Sequence, residues 1–206
     1  MSSEHPHSVT SVEALEKLYA APSERAVRKE IDHIDEHCRA FIGASPFVVL
    51  ASSSGRGADC SPRGEEPGFV RVAGPRTLLI PDRRGNNRLD SLRNIVENPE
   101  VGLLFLVPGV SETLRVNGRA TISTDPAILD RFAISGRAAT TVLEVAVREA
   151  FIQCAKALVR SDLWNPQRHV DRSTLPSLGT ILAAHTSGLV DPAAYDAETA
   201  RALGKL

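Results

Sequence analysis

The chain has 206 residues, 42% apolar and 24% charged, with a net charge of −1. This is the composition of an ordinary globular protein, long enough for one domain with a sizeable core plus helical extensions. The near-neutral balance argues against a dedicated nucleic-acid binder, which carries a strongly basic face. Cys38, Cys60 and Cys154 lie far apart with no CxxC pair, which is neither a disulfide framework nor a zinc motif.

Residues 1–10 are polar and read as loose. The start, MSSEHPHSVTSVEAL, has no basic segment followed by an apolar run, and no 18-residue apolar stretch occurs. The chain is therefore expected to be cytoplasmic, with no membrane-spanning helix. A short helix is expected over Val12–Tyr19. A longer one is expected over Glu24–Phe41, with Val27, Ile31, Ile34, Cys38 and Phe41 on one face. His33 and His37, four apart, have the spacing of a metal pair, but no third ligand is evident and solvated histidines are the simpler reading.

From Phe47 the pattern becomes β. FVVLAS (47–52) is an apolar strand, and SSGRGADC (53–60) reads as a hairpin connection. FVRVA (69–73) and TLLI (77–80) form the next pair, with Pro81 ending the second. VGLLFLV (101–107) and TLRVNGRATIS (113–123) follow, the latter with Gly118 near its middle, which suggests a bulge or bend. A helix opens at Asp125-Pro126. TTVLEVAVREAFI (140–152) is a strand whose last residues could already belong to the helix CAKALVRS (154–161). Beyond Trp164 two helices are expected, Leu178–His185 and Pro192–Leu203. Six strands in about a hundred residues, with tight turns and no βα alternation, predict a mainly β (α+β) antiparallel barrel with peripheral helices. The expected organisation is an N-terminal helical extension over 1–40, the barrel over 41–164 and a C-terminal helical extension over 165–206.

The stretch LLIPDRRGNNRLDSLRNIVENP (78–99) is the most informative. A buried strand runs into a loop with Gly85 and Asn86-Asn87, then into a helix whose Leu89, Leu92, Ile95 and Val96 recur at helical spacing. Arg83, Arg84, Arg88 and Arg93 crowd this unit, and free N–H groups at a helix start beside arginines suit a phosphate; four solvated arginines on a surface helix are the alternative. There is no P-loop, no dinucleotide fingerprint and no nucleophile elbow. Cys60 and Cys154 read as small core residues rather than reactive thiols.

Taken in order, ADCSPRGEEPGFV (58–70), LLIPDRRGNNRLDSLRNIVENPEVGLLFLVPG (78–109), ETLRVNGRATIS (112–123) and CAKALVRSDLW (154–164) resemble the pyridoxamine 5′-phosphate oxidase-like family of FMN-binding split barrels, over about Ala40–Trp164. The resemblance implies a six-stranded split barrel and a homodimer with two FMN molecules between the subunits. It places Cys60, Ser61 and Arg63 on the strand beside the flavin, and Ile80 and Pro81 at a strand end near the ring or ribityl chain. Asn87 and Arg88 match the phosphate-binding pair, and Thr113 and Arg115 a strand lining the cleft. Lys156, Arg160 and Trp164 match a later motif expected from the partner chain. The vitamin B6 oxidases carry a basic C-terminal motif that grips the substrate phosphate. This chain ends in ARALGKL, so the resemblance reaches the flavin site and leaves the substrate open.

The function expected is an FMN-dependent oxidoreductase acting on a small molecule, with the redox chemistry belonging to the flavin. The alternatives are a flavin- or haem-binding sensor without turnover, and a deazaflavin (F420) reductase.

Overall fold

The computed structural model describes residues 7–204; the expectation of a loose start falls partly on residues 1–6, outside the described residues. The chain divides into two compact units, at Trp164 and Asn165.

The first unit is built on one antiparallel sheet of seven strands: β1 Phe47–Ser54, β2 Gly57–Gly64, β3 Arg71–Gly74, β4 Thr77–Asp82, β5 Glu100–Leu106, β6 Thr113–Ser123 and β7 Thr141–Gln153. They run in the order β2-β1-β5-β6-β7-β4-β3. Period-two alternation sends Val48 and Leu50 of β1, Val101, Leu103 and Phe105 of β5, and Leu114, Val116 and Ala120 of β6 into one core, joined by Val145, Val147 and Ala150 of β7. The β6–β7 register slips where Asn117 faces Glu149 and Gly118 faces Val147. Arg148 is thus the extra residue of a bulge, and Gly118 sits opposite it because a Cβ there would lie 2.3 Å from the Ala146 carbonyl oxygen.

The sheet curls until β2, at one edge, meets the end of β4 beyond its pairing with β3, without a ladder between them. Arg63 near the end of β2 reaches Asp82 at the end of β4, with Nη2 3.4 Å from Oδ1. From Arg63 the register runs through Val48 and Phe105 to Leu114, whereas from Asp82 it runs through Thr141 to the residue after Ser123. The seam is therefore offset by about ten residues, the strong stagger of a small tilted barrel. This is an antiparallel split barrel, and the split is this side-chain-bridged seam.

Four sequence expectations are corrected. The barrel sheet has seven strands rather than six, because residues 57–60 pair with β1 (Ser54 with Gly57, Ala51 with Cys60) and the connection shrinks to Gly55-Arg56. Glycine, aspartate and serine there mark an exposed edge strand, not a turn. β4 continues through Pro81 to Asp82. Asp82 O accepts from Thr140 N on the β7 side, so Pro81 turns its missing N–H to the side where β3 pairing has already ended at Leu79. β7 runs to Gln153, so residues 148–152 are strand, and helix α6 is Lys156–Ser161.

The helix expected over 24–41 is two, α2 Glu24–Arg28 and α3 Glu36–Ala44, following α1 Val12–Glu16. Between α2 and α3 the backbone pairs instead with the barrel: Ile31 exchanges hydrogen bonds with Ala150, and Ile34 N donates to Pro75 O. Asp35 then caps α3, its carboxylate accepting from Cys38 N at 2.8 Å. Ile34, Cys38 and Ile42 are buried and Val27 is exposed.

Helix α4, Asp90–Glu97, lies against β1, β2 and β6. Helix α5, Pro126–Leu129, continues into a 3-10 turn to Phe132, and Phe132 joins Leu79, Ala139 and Val142 in a smaller cluster outside the barrel. The second unit is a helical hairpin, α7 Leu178–His185 and α8 Pro192–Leu203, after two 3-10 turns. Gly179 packs against the Pro192 carbonyl, and its N–H donates to Asp196 Oδ1 at 2.8 Å. Among the described residues no helix is long and apolar enough to cross a membrane.

Candidate functional site

The seam is where the candidate residues gather. Ile80 and Pro81 are buried, so they can offer a ligand only backbone. Arg83 turns back to Glu65, with Nη2 3.0 Å from Oε2 and 2.9 Å from Phe132 O, which ties the loop start to the chain beyond β2. Asn86 Oδ1 accepts from Arg88 N at 3.1 Å. Asn87 and Leu89 both take left-handed φ of 59°. Asparagine tolerates this region, whereas leucine is strained there, at a cost of about 1 kcal/mol or more. Leu89 also occupies the N-cap of α4 with no side-chain cap, so the first-turn N–H groups have no capping oxygen.

β2 presents two faces. Asp59, Ser61 and Arg63 pair with Ser52, Leu50 and Val48, so they share the core-side face, toward α4. Ser61 Oγ accepts from Ser91 Oγ at 2.9 Å. Arg63 donates through Nη1 to Pro62 O and reaches Asp82 through Nη2. Among the described residues, the buried side-chain polar atoms without a partner are Arg63 Nε and Thr141 Oγ1. Thr141 pairs with Asp82, so both orphans flank that carboxylate. Burial pushes the Asp82 carboxyl above its usual range, against the pull of Arg63.

The cations here are mostly paired. Arg88 Nε lies 2.8 Å from Asp90 Oδ2 and Arg56 Nη1 2.7 Å from Glu97 Oε1. The hydrogen bond to Asp90, with the charge of Asp59 as a lesser cause, raises the Arg88 guanidinium further above its ordinary value. Among the described residues Arg84 and Arg93 make no ion pair. A polar cleft of ≈ 240 Å³ opens between the β1–β2 turn and α4, lined by Arg56, Asp59, Asp90, Arg93 and Asn94.

The remaining candidates lie elsewhere. Cys60 pairs with Ala51 on the opposite, outer face of β2, and both it and Cys154 are exposed, which corrects the reading of these two as core residues; Cys38 is buried. Thr113 is buried on β6, its Oγ1 3.5 Å from Gln153 Oε1. Arg115 lies on the outer face beside Leu104, with its guanidinium 5.4 Å from the Phe151 ring centre. Trp164 donates to Val110 O at 2.8 Å, and Arg160 to Lys156 O within α6. The structure thus brings Ser61, Arg63, Pro81, Asn87 and Arg88 to the seam. Thr113 and Arg115 sit at the far end of β6 from the Ile80–Asp82 strand end.

Asp59, Asp82, Ser91 and Asn94 escaped the sequence reading. Ser91 and Asn94 share the buried stripe of α4 with Ile95. Polar residues at core-facing helical positions are the signal that could have found them.

No curated protein matches the sequence. Among solved structures, the chain is similar to HupZ of Group A Streptococcus, at 16% identity over 58% of this chain and 93% of that one, with a TM-score of 0.47. It is also similar to General Stress Protein 26 of Bacillus anthracis str. Sterne, at 14% over 55% and 88%, TM-score 0.43. An FMN-binding protein of Syntrophomonas wolfei subsp. wolfei is similar at 12% over 56% and 83%, TM-score 0.44. Residues 34–154, from the end of the α2–α3 connection through the last barrel strand, match the family model described as Pyridoxamine 5′-phosphate oxidase. The chain belongs to that family.

Proposed function

We propose that the protein is a cytoplasmic FMN-binding oxidoreductase that works as a homodimer on a small molecule. The observation that carries this reading is the seam. An arginine Nε and a threonine hydroxyl stand there buried without partners, beside a helix whose first turn lacks a side-chain cap. Arg63 Nε and the uncapped N–H groups are donors without acceptors, and a phosphate ester supplies acceptor oxygens to such groups. Ser61, Arg63, Asn87 and Arg88, with the first-turn N–H groups of α4, are the residues that would hold FMN. When bound, the flavin supplies hydride or electron transfer.

The chain's own part is binding, orientation and exclusion of water. Arg88 exchanges the Asp90 carboxylate for the phosphate. Apolar side chains of the outer sheet face, among them Phe47, Val49, Leu104 and Leu106, are incompletely covered, and a second copy laid on this face gives each cofactor a second wall. Lys156, Arg160 and Trp164 are assigned to the wall that one subunit offers the other's cofactor, Thr113 and Arg115 to the strand lining the cleft, and Cys60 to the strand beside the flavin.

The test is the visible spectrum and released-cofactor mass of the purified protein, followed by FMN titration and sedimentation. FMN at one per chain on a dimer is expected. A deazaflavin or haem in its place, or no uptake of FMN by a folded dimer, overturns the reading.

A further inference from the structure

Helix α4 is fastened to the sheet by polar groups where a helix of its kind carries apolar ones. Ser91 and Asn94 are each 2% exposed. The Asn94 amide donates from Nδ2 to Asp59 Oδ2 at 2.6 Å and to Ser52 Oγ at 3.2 Å, which uses both of its hydrogens. Ser91 donates to Ser61, Asn98 Nδ2 to Ser53 Oγ at 3.1 Å, and Arg56 closes on Glu97. Every partner lies between Ser52 and Ser61. The β1–β2 hairpin is therefore tied along the whole of α4, at Ser91, Asn94, Glu97 and Asn98, by hydrogen bonds whose useful range is a few tenths of an ångström, beside the apolar contacts of Leu92 and Ile95.

The central bond has a second consequence. Asp59 is an exposed carboxylate at the cleft that also meets Asp90 and Arg93, and it lies within electrostatic reach of Arg88. Left unheld, it can swing toward the cations a phosphate would use. We infer that Asn94 is a positioning residue for the phosphate group of the cofactor: from the middle of α4 it fixes the Asp59 carboxylate and holds it away from the anion site. This rests on the flavin reading above and names the residue that regulates that site's phosphate end.

Two variants test it, with FMN and riboflavin titrated into each apo protein. In Asn94→Ala the FMN affinity is expected to fall at least tenfold, with riboflavin changed less than threefold. Asn94→Asp keeps the volume and places a second carboxylate against Asp59. Its FMN affinity relative to wild type at the same pH, a ratio in which the titration of the FMN phosphate cancels, is expected to be low at pH 8 and to rise toward one by pH 5, as two adjacent carboxylates share a proton. The charged groups facing the pair are Arg56 from the β1–β2 turn, Arg88 from the loop, and Asp90, Arg93 and Glu97 from α4. Riboflavin binding should not follow this profile.

Equal losses for FMN and riboflavin in Asn94→Ala, or a ratio of Asn94→Asp to wild-type FMN affinity that does not change with pH, overturn the positioning role while the flavin reading stands. If Asn94→Ala does not fold, the Asn94→Asp profile decides alone. Wild type that binds neither flavin overturns both.

Discussion

Two glycines on neighbouring strands should respond oppositely to the same methyl group. At Gly118 an added Cβ would lie 2.3 Å from the Ala146 carbonyl oxygen, 3.0 Å from its carbon and 3.2 Å from Val145 Cγ1. Two of those atoms are backbone in the β6–β7 ladder, so the strands must part by roughly an ångström at the bulge. Overpacking of this kind costs about 1–3 kcal/mol, and rigid backbone places Gly118→Ala near the top. The stiffer unfolded chain returns about 0.4–1 kcal/mol, leaving a net loss of about 2 kcal/mol. At about 2–4 °C per kcal/mol for a protein of this size, the melting temperature should fall by about 4–8 °C.

At Gly102 the same methyl meets only Asn117 Oδ1 at 3.3 Å and Ala51 Cβ at 3.7 Å, so the protomer should accept it. Its direction, however, is outward, into the face assigned to a second copy. Thermal unfolding at two protein concentrations separates the cases. The Gly118→Ala loss should be the same at both, whereas any Gly102→Ala loss should shrink as concentration rises, because mass action restores the dimer. A Gly118→Ala melt within a degree of wild type refutes the close approach at the bulge. A large, concentration-independent loss in Gly102→Ala refutes the assignment of the outer face.

Other perturbations follow from single residues. Ile34→Asp places a charge in the core where Ile34 is 4% exposed and should cost on the order of 3 kcal/mol or more by urea unfolding. Asp35→Ala removes the cap of α3 at a cost of about 1 kcal/mol. The Asp35 carboxyl is held below its usual range chiefly by the Cys38 N–H, so its contribution is full above the ordinary carboxylate range and disappears as pH falls through the lowered value. The variant should therefore match wild type in strong acid and fall behind near neutrality. Burial, with Asp35 alongside, pushes the Cys38 thiol up to about 12, so a thiol reagent should label Cys60 and Cys154 in native protein and Cys38 only on unfolding. Arg88→Ala should weaken FMN binding by about tenfold or more while leaving riboflavin little changed; equal losses would remove Arg88 from the phosphate site.

The strands that face the core from the middle of the sheet were legible because both neighbours and the core select apolar residues at period two. TLRVNGRATIS is β6 to the residue, and its glycine marks the bulge, although the extra residue, Arg148, lies on the partner strand. The first half of β2 was not legible from the residues: an edge strand answers to backbone pairing on one side only, so GADC is free to look like a turn, whereas the family resemblance had already placed Cys60, Ser61 and Arg63 on a strand. The 24–41 helix failed for a related reason: Ile31 keeps the helical spacing of its apolar neighbours, but Ala150 offers its backbone an alternative partner, and no property of the local segment records that offer. At the candidate site the arginines could be read because charge beside a helix start is a local pattern. Asp90, beside Arg88, is part of the same local pattern, but Asp82 and Glu65 reach Arg63 and Arg83 from other parts of the chain, and the amide that holds Asp59 comes from a buried helical position, where a polar letter reads as solvent-facing until the fold is known.

The pairing at the seam also explains how a chain with a net charge of −1 could carry an anion site. Arg63, Arg83, Arg88 and Arg56 each face a carboxylate, so their fields largely cancel beyond a Debye length of about 8 Å. A dianion that reaches Arg88 therefore replaces Asp90 rather than adding to a bare cation. The gain is the difference between a two-charge ligand with several acceptor oxygens and one flexible aspartate, which then remains at the first turn of α4, where negative charge is favoured. Exchange of this kind gives little long-range steering and much selectivity. A singly charged carboxylate ligand would gain almost nothing over Asp90, whereas a phosphate ester can engage Arg88 and the uncapped N–H groups together.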